Sequence, residues 1–148
     1  MSRSSTPNLR RTPPPVWNSS PTHAIEVVDA HVDVAGKELN AITAKQLNAV
    51  AESVLSMDAS RNHFATLDFL KHLPRIFVLN ASYNRLRRIF SIVYAKATLT
   101  HVDLSHNAIG TVEHFLSQMV HLRVLNLSFN QLMVGQEANY GSPMCHWC

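Results

Sequence analysis

Nine histidines among 148 residues raise the question of acid–base or metal chemistry. Cys145-His146-Trp147-Cys148 is a CxxC pair with an internal histidine. One such pair supplies half of a tetrahedral zinc site, and the second pair is missing, so no metal centre is expected. Arg85, Arg87 and Arg88 cluster with Arg75 close by, a patch that could meet an acidic partner or RNA phosphates. No base-stacking aromatics are interleaved with them, so nucleic acid is not the expected partner. Asn18-Ser19-Ser20, Asn80-Ala81-Ser82 and Asn126-Leu127-Ser128 match the glycosylation acceptor pattern, but no secretory signal accompanies them. No phosphate loop, nucleophile elbow, HExxH or dinucleotide fingerprint occurs. Catalysis is not expected, and neither is a cofactor.

Charge narrows the reading further. The formal net charge is +3, from 13 basic and 10 acidic residues. Residues 1–24 contain Arg3, Arg10 and Arg11, five prolines and no acid. Removing three arginines from 13 leaves ten basic residues against ten acidic ones, so the basic excess belongs to this segment alone. Its Pro, Ser, Thr and Asn content cannot bury enough apolar surface to offset ordering entropy, which predicts a disordered tail. Thr6-Pro7, Thr12-Pro13 and Ser20-Pro21 are minimal proline-directed phosphorylation sites. The prolines also argue against the amphipathic helix of a mitochondrial presequence. No run of 18 apolar residues predicts a membrane span. Only two cysteines, both in the last four residues, fit a reducing compartment.

From about residue 25 the chain repeats. Ile76 to Leu86, Leu99 to Ile109 and Leu122 to Leu132 align with apolar residues at positions 1, 4, 6 and 11 and asparagine at position 9. Val54, Met57, Ala59, Asn62 and Phe64 form one further copy, and Val32, Val34, Lys37 and Leu39 a degenerate one in which lysine replaces asparagine. Asn62, Asn84, Asn107 and Asn130 thus recur at intervals of 22 and 23 residues. This is the L-x-x-L-x-L-x-x-N-x-L signature of the leucine-rich repeat. Behind it run Leu67, Leu70 and Leu73; Ile89, Ile92 and Ala95; and Val112, Phe115 or Leu116, and Met119. A unit of this length with apolar residues every third position resembles the intracellular repeats of the type-1 phosphatase regulatory subunit. Similar units occur in a spliceosomal U2 component, a dynein light chain and the acidic nuclear phosphoproteins. The resemblance covers roughly residues 28–134. It implies an α/β leucine-rich-repeat solenoid at residues 25–134, with four to five repeats, a concave parallel sheet and helical or 3₁₀ turns on the convex side.

Side-chain chemistry suits that architecture. Positions 4 and 6 alternate with polar 5 and 7, the period of a strand buried on one face. The asparagine amides can satisfy backbone groups left unpaired where the chain turns inward, so they read as structural. Thr43-Ala44-Lys45-Gln46 opens a helix expected at about 43–55, on the convex side of the first unit. At the other end, residues 135–148 carry no apolar period and do not resemble the family's capping element. Either the chain is a truncated form or a partner covers the last unit.

The solvent-facing columns are then the candidate site. Position 3 contributes Ser56, Val78, His101 and Val124, and position 5 Asp58, Asn80, Asp103 and Asn126. Position 8 contributes Arg61, Tyr83, His106 and Phe129, an aromatic and basic stripe of the kind enriched at binding hot spots. His31 and His101 fall at position 3 and His106 at position 8, with no catalytic constellation around them. The expected function is protein–protein recognition through the concave face, as an adaptor or regulatory subunit. The resemblance implies a phosphatase, cytoskeletal or axonemal partner and a cytoplasmic setting, extending to the nucleus or cilium. The rivals are a ribonucleoprotein assembly factor and a truncated repeat protein with little function of its own.

Overall fold

The computed structural model describes residues 25–112 and 114–133. The expected tail at residues 1–24 and the CxxC pair lie outside the described residues. Within them, five three-residue strands form one parallel sheet: β1 (His31–Asp33), β2 (Ser56–Asp58), β3 (Val78–Asn80), β4 (His101–Asp103) and β5 (Val124–Asn126). Spatial order equals chain order, and the register runs Val32, Met57, Leu79, Val102, Leu125 straight across the sheet. Each unit therefore contacts its neighbours in the way that defines a solenoid. The degenerate first copy supplies a full strand, giving five units.

The strands are short because the chain must leave the sheet at once to complete its turn. Each of β2 to β5 begins with two successive amides sharing one carbonyl of the preceding unit: Phe77 and Val78 donate to Leu55, and Thr100 and His101 donate to Phe77. Positions 4 and 6 are buried in all five units. On the convex side the three-residue apolar period is also the hydrogen-bond period. Leu70 N–H donates to the Leu67 carbonyl and Leu73 N–H to the Leu70 carbonyl, so burial and 3₁₀ geometry reinforce each other. This yields η1 (Asp68–His72), η2 (Phe90–Ala95) and η3 (His114–Gln118). η1 and η2 are also linked by side chains. The Asp68 carboxylate accepts from the Ser91 hydroxyl at 2.7 Å and from the Thr66 hydroxyl at 3.0 Å.

Three details depart from the sequence reading. The only α-helix among the described residues, α1, spans Ala44–Leu47 rather than 43–55. Its start is fixed by Gln46 Oε1, which accepts from both the amide and the hydroxyl of Thr43. Beyond Leu47 the chain tightens into successive turns, with Val50 N–H on the Leu47 carbonyl and Ser53 N–H on the Val50 carbonyl. It must reach Val54, the buried first position of the next unit, and turns make that descent in fewer residues than a helix. The position-7 serines are the second case. Ser60, Ser82 and Ser105 are buried rather than presented to solvent, because the chain is already turning inward there. Val112, assigned to the convex apolar set, is instead exposed.

The two ends differ. At the N-terminal end Ile25, Val34 and Leu47 are buried against the core. In the last unit the position-11 residue Leu132 is 38% exposed, whereas Phe64, Leu86 and Ile109 at the same position are fully buried.

Candidate functional site

The site is built on a backbone peculiarity. Arg61, Tyr83, His106 and Phe129 all have φ between 53° and 55°, in the left-handed region that costs a residue with a Cβ about 1–2 kcal/mol. Gly36, the corresponding residue of the first unit, has φ 64°. The turn demands this geometry in every unit, since the next residue must swing its side chain under the sheet. Hydrogen bonds hold it there. The amides of Gly36, Arg61, Tyr83 and His106 each donate at 3.0 Å to the position-7 serine carbonyl of the following unit.

The inward-facing neighbour is the asparagine ladder. Asn107 Nδ2 donates to the carbonyls of Ala81, Leu104 and Ser105, and its Oδ1 accepts from the Leu86 amide. Asn84 and Asn130 repeat the pattern with Phe64 and Ile109 as donors. Asn62 accepts from both Lys37 N–H and Leu39 N–H, so the unit with lysine at this position is tied in by its neighbour's asparagine. All four side chains are consumed by the fold.

Position 8 points the other way, and its side chains stack. The Arg61 guanidinium carbon lies 4.8 Å from the centroid of the Tyr83 ring. Tyr83 and His106 stack at 4.1 Å with 9° between planes, and His106 and Phe129 at 4.3 Å with 10°. Each of the last four units thus adds one rung to a continuous surface ladder. Tyr83 is 46% exposed and Phe129 74%. The rungs present their edges to solvent, and their faces are spent on one another except at Phe129. Such contacts contribute about 0.5–1.5 kcal/mol each.

The position-5 column beside it is engaged internally. Asp58 accepts from Ser60 N–H and from Asn80 Nδ2. Asn80 Oδ1 accepts the amide and hydroxyl of Ser82. Asp103 and Asn126 are joined likewise, with Asp103 accepting from Ser105 N–H and Asn126 Nδ2, and Asn126 accepting from Ser128. Asp58, Asn80, Asp103 and Asn126 therefore shape the face more than they offer free groups. Of the position-3 residues, His101 Nδ1 pairs with Thr100 Oγ1 at 2.9 Å, and His31 Nδ1 with Ser56 Oγ at 2.6 Å. Among the described residues no group of three or more His, Cys, Asp or Glu is placed to hold a metal ion. No helix there is long and apolar enough to cross a membrane.

Sequence reasoning placed the rungs on one face but missed their stacking and their shared positive φ. The signal was present in the repeat: a bulky residue directly before each asparagine, at the step where the chain reverses.

Comparison with known proteins agrees with this architecture. A family model described as Leucine Rich repeat matches residues 95–112 and 118–133, which carry β4 and β5. The matched residues are leucine-rich repeats, and the described residues form a leucine-rich-repeat solenoid. It is similar to the mouse protein "Leucine-rich repeat protein 1", at 35% identity over 77 residues. The match takes in 52% of this chain and 16% of that relative, so the chain aligns with about a sixth of its length. Leucine-rich repeats build extended concave surfaces suited to protein recognition.

Proposed function

We propose that this leucine-rich-repeat protein recognises a protein partner through its concave face, with Arg61, Tyr83, His106 and Phe129 as the contact ladder. One observation carries the reading: large side chains occupy four successive left-handed positions where glycine would relieve the strain. Backbone strain at surface residues is retained where the side chain has work to do. Aromatic and arginine side chains are the commonest interface anchors, and the stack fixes these rotamers in advance, which lowers the ordering cost of binding. The mechanism is a rigid platform: rung edges and the Phe129 face supply affinity, and the tied Asp/Asn column supplies shape.

The repeat's resemblance to intracellular regulatory subunits supports a partner inside the cell. The test is quantitative affinity capture from cell extract with the wild-type chain, Tyr83→Ala/Phe129→Ala and Arg87→Ala. Proteins held by the wild type and Arg87→Ala but lost by the double variant support the reading. Identical recovery by all three chains removes the ladder as the site.

A second reading rests on Arg85, Arg87 and Arg88, which are exposed and form no ion pair with a described residue. Contact with RNA phosphates would be strongly salt-dependent and would fall when the three are replaced by alanine. Indifference to RNA at low salt eliminates it.

A further inference from the structure

A second surface feature lies away from the ladder, where the chain descends towards its strands. Between the buried residues Ala95 and Leu99 stand Lys96, Ala97 and Thr98. The preceding unit makes the same link between Leu73 and Ile76 with only Pro74 and Arg75, and the following one between Met119 and Leu122 with only Val120 and His121. The extra residue gives this connection a longer path than either neighbour, and a pocket of about 270 Å³ opens beside it.

Its lining has a definite chemistry. Phe77, Ala97 and Val120 provide apolar walls, with Phe77 42% and Val120 78% exposed. The lining hydroxyls are already occupied: Thr100 Oγ1 donates to the Phe77 carbonyl at 3.0 Å, and Thr98 Oγ1 to the Ala95 carbonyl at 3.4 Å. Arg123 and His121 also line the pocket, and no acidic residue does. The Arg123 guanidinium has no hydrogen-bond or ion-pair partner among the described residues, and Lys96 adds a further cation next to Ala97. A space of this volume is small for a cofactor and suits a single apolar side chain.

We propose that this pocket docks an acidic peptide segment of a protein partner, seating one apolar side chain between Phe77 and Val120 and the adjoining carboxylate on Arg123. Charge complementarity selects the occupant: an apolar group alone would leave the guanidinium unused, and a basic segment would be repelled by Arg123 and Lys96. Bidentate pairing of guanidinium with carboxylate gives the contact its direction. The site stands apart from the ladder and does not depend on it.

The test is amide NMR titration of the full chain with two blocked dipeptides, acetyl-Leu-Asp-amide and acetyl-Leu-Asn-amide. The first should shift the resonances of Thr98, Thr100, His121 and Arg123, and the second should bind roughly tenfold more weakly. Arg123→Gln should erase that difference while leaving the spectrum otherwise folded. Ala97→Leu, which fills the pocket without touching the charge, should weaken both peptides. No shift at these residues, equal binding of the two peptides, or equal shifts from inorganic phosphate alone would each overturn the proposal. Unchanged binding to Arg123→Gln or to Ala97→Leu would do the same.

Discussion

Positions 8 and 9 of each repeat are adjacent in the chain and opposite in kind. The asparagine turns inward and spends every polar atom on the backbone of its own and neighbouring units. The residue before it turns outward, with a strained backbone and a side chain whose contacts are its counterparts one unit away. Both columns link successive units. One does so through hydrogen bonds that require a side chain able both to donate and to accept, the other through stacking that many side chains could supply. Stability should therefore reside in the asparagine column and recognition in the ladder, although a single peptide bond separates them.

The sharpest way to break this contrast is Asn107→Ala. The change leaves the Leu86 amide without its acceptor and takes one hydrogen bond each from the carbonyls of Ala81, Leu104 and Ser105, which keep Asn84 Nδ2, Asn130 Nδ2 and the Tyr83 amide as donors. At about 1–3 kcal/mol for the one buried group left unsatisfied, with smaller terms for the three carbonyls that lose one donor of two, the expected loss is about 2–4 kcal/mol. Chemical denaturation would measure it, and a loss under about 1 kcal/mol would show that the ladder of amides is dispensable.

His106 offers the next test. His106→Ala removes two stacking contacts and keeps the positive φ, so a loss of about 1–2 kcal/mol is expected. His106→Gly removes the same contacts but relieves strain of similar size. It should fall within about 1 kcal/mol of the wild type. Glycine being worse than alanine would mean that the left-handed backbone is not strained by its side chain. The outer rung is weaker still. Arg61→Ala forfeits one partly exposed cation–π contact, about 0.5–1 kcal/mol.

The same contrast explains what could be read from the sequence. Val32, Met57, Leu79, Val102 and Leu125 sit in register because a repeat that buries one face admits only one pairing, and periodicity alone reveals that. The asparagine spacing was legible for the same reason. The ladder was legible as a column but not as a stack, since ring orientation depends on a φ that composition does not encode. The helix expected at 43–55 shows the limit most clearly. Leu47, Val50, Ala51 and Val54 have helical spacing, yet Val54 belongs to the next unit's core, and the need to reach it overrode the local period. Burial of Ser60, Ser82 and Ser105 was hidden likewise, because strict alternation was extended two residues past the strand.

A third link between units stands between the two extremes. Asp68 of η1 accepts a hydrogen bond from Ser91 of η2 on the exposed convex side. That bond holds the Asp68 carboxyl below its ordinary value of 3.8; burial opposes the effect, and Thr66 and Lys71 assist it. A carboxyl whose pKa falls on folding stabilises the folded state above its unfolded value, and that contribution disappears as pH drops through the folded value. Solvent screening at so exposed a group keeps the effect small, a few tenths of a kcal/mol. Ser91→Ala should accordingly lower the melting temperature slightly at neutral pH, and the difference should shrink as the pH falls below the ordinary carboxylate range and Asp68 is protonated in both chains. A difference that persists undiminished in acid would assign Ser91's contribution to packing between η1 and η2. The convex link would then resemble the stacked ladder more than the asparagine column.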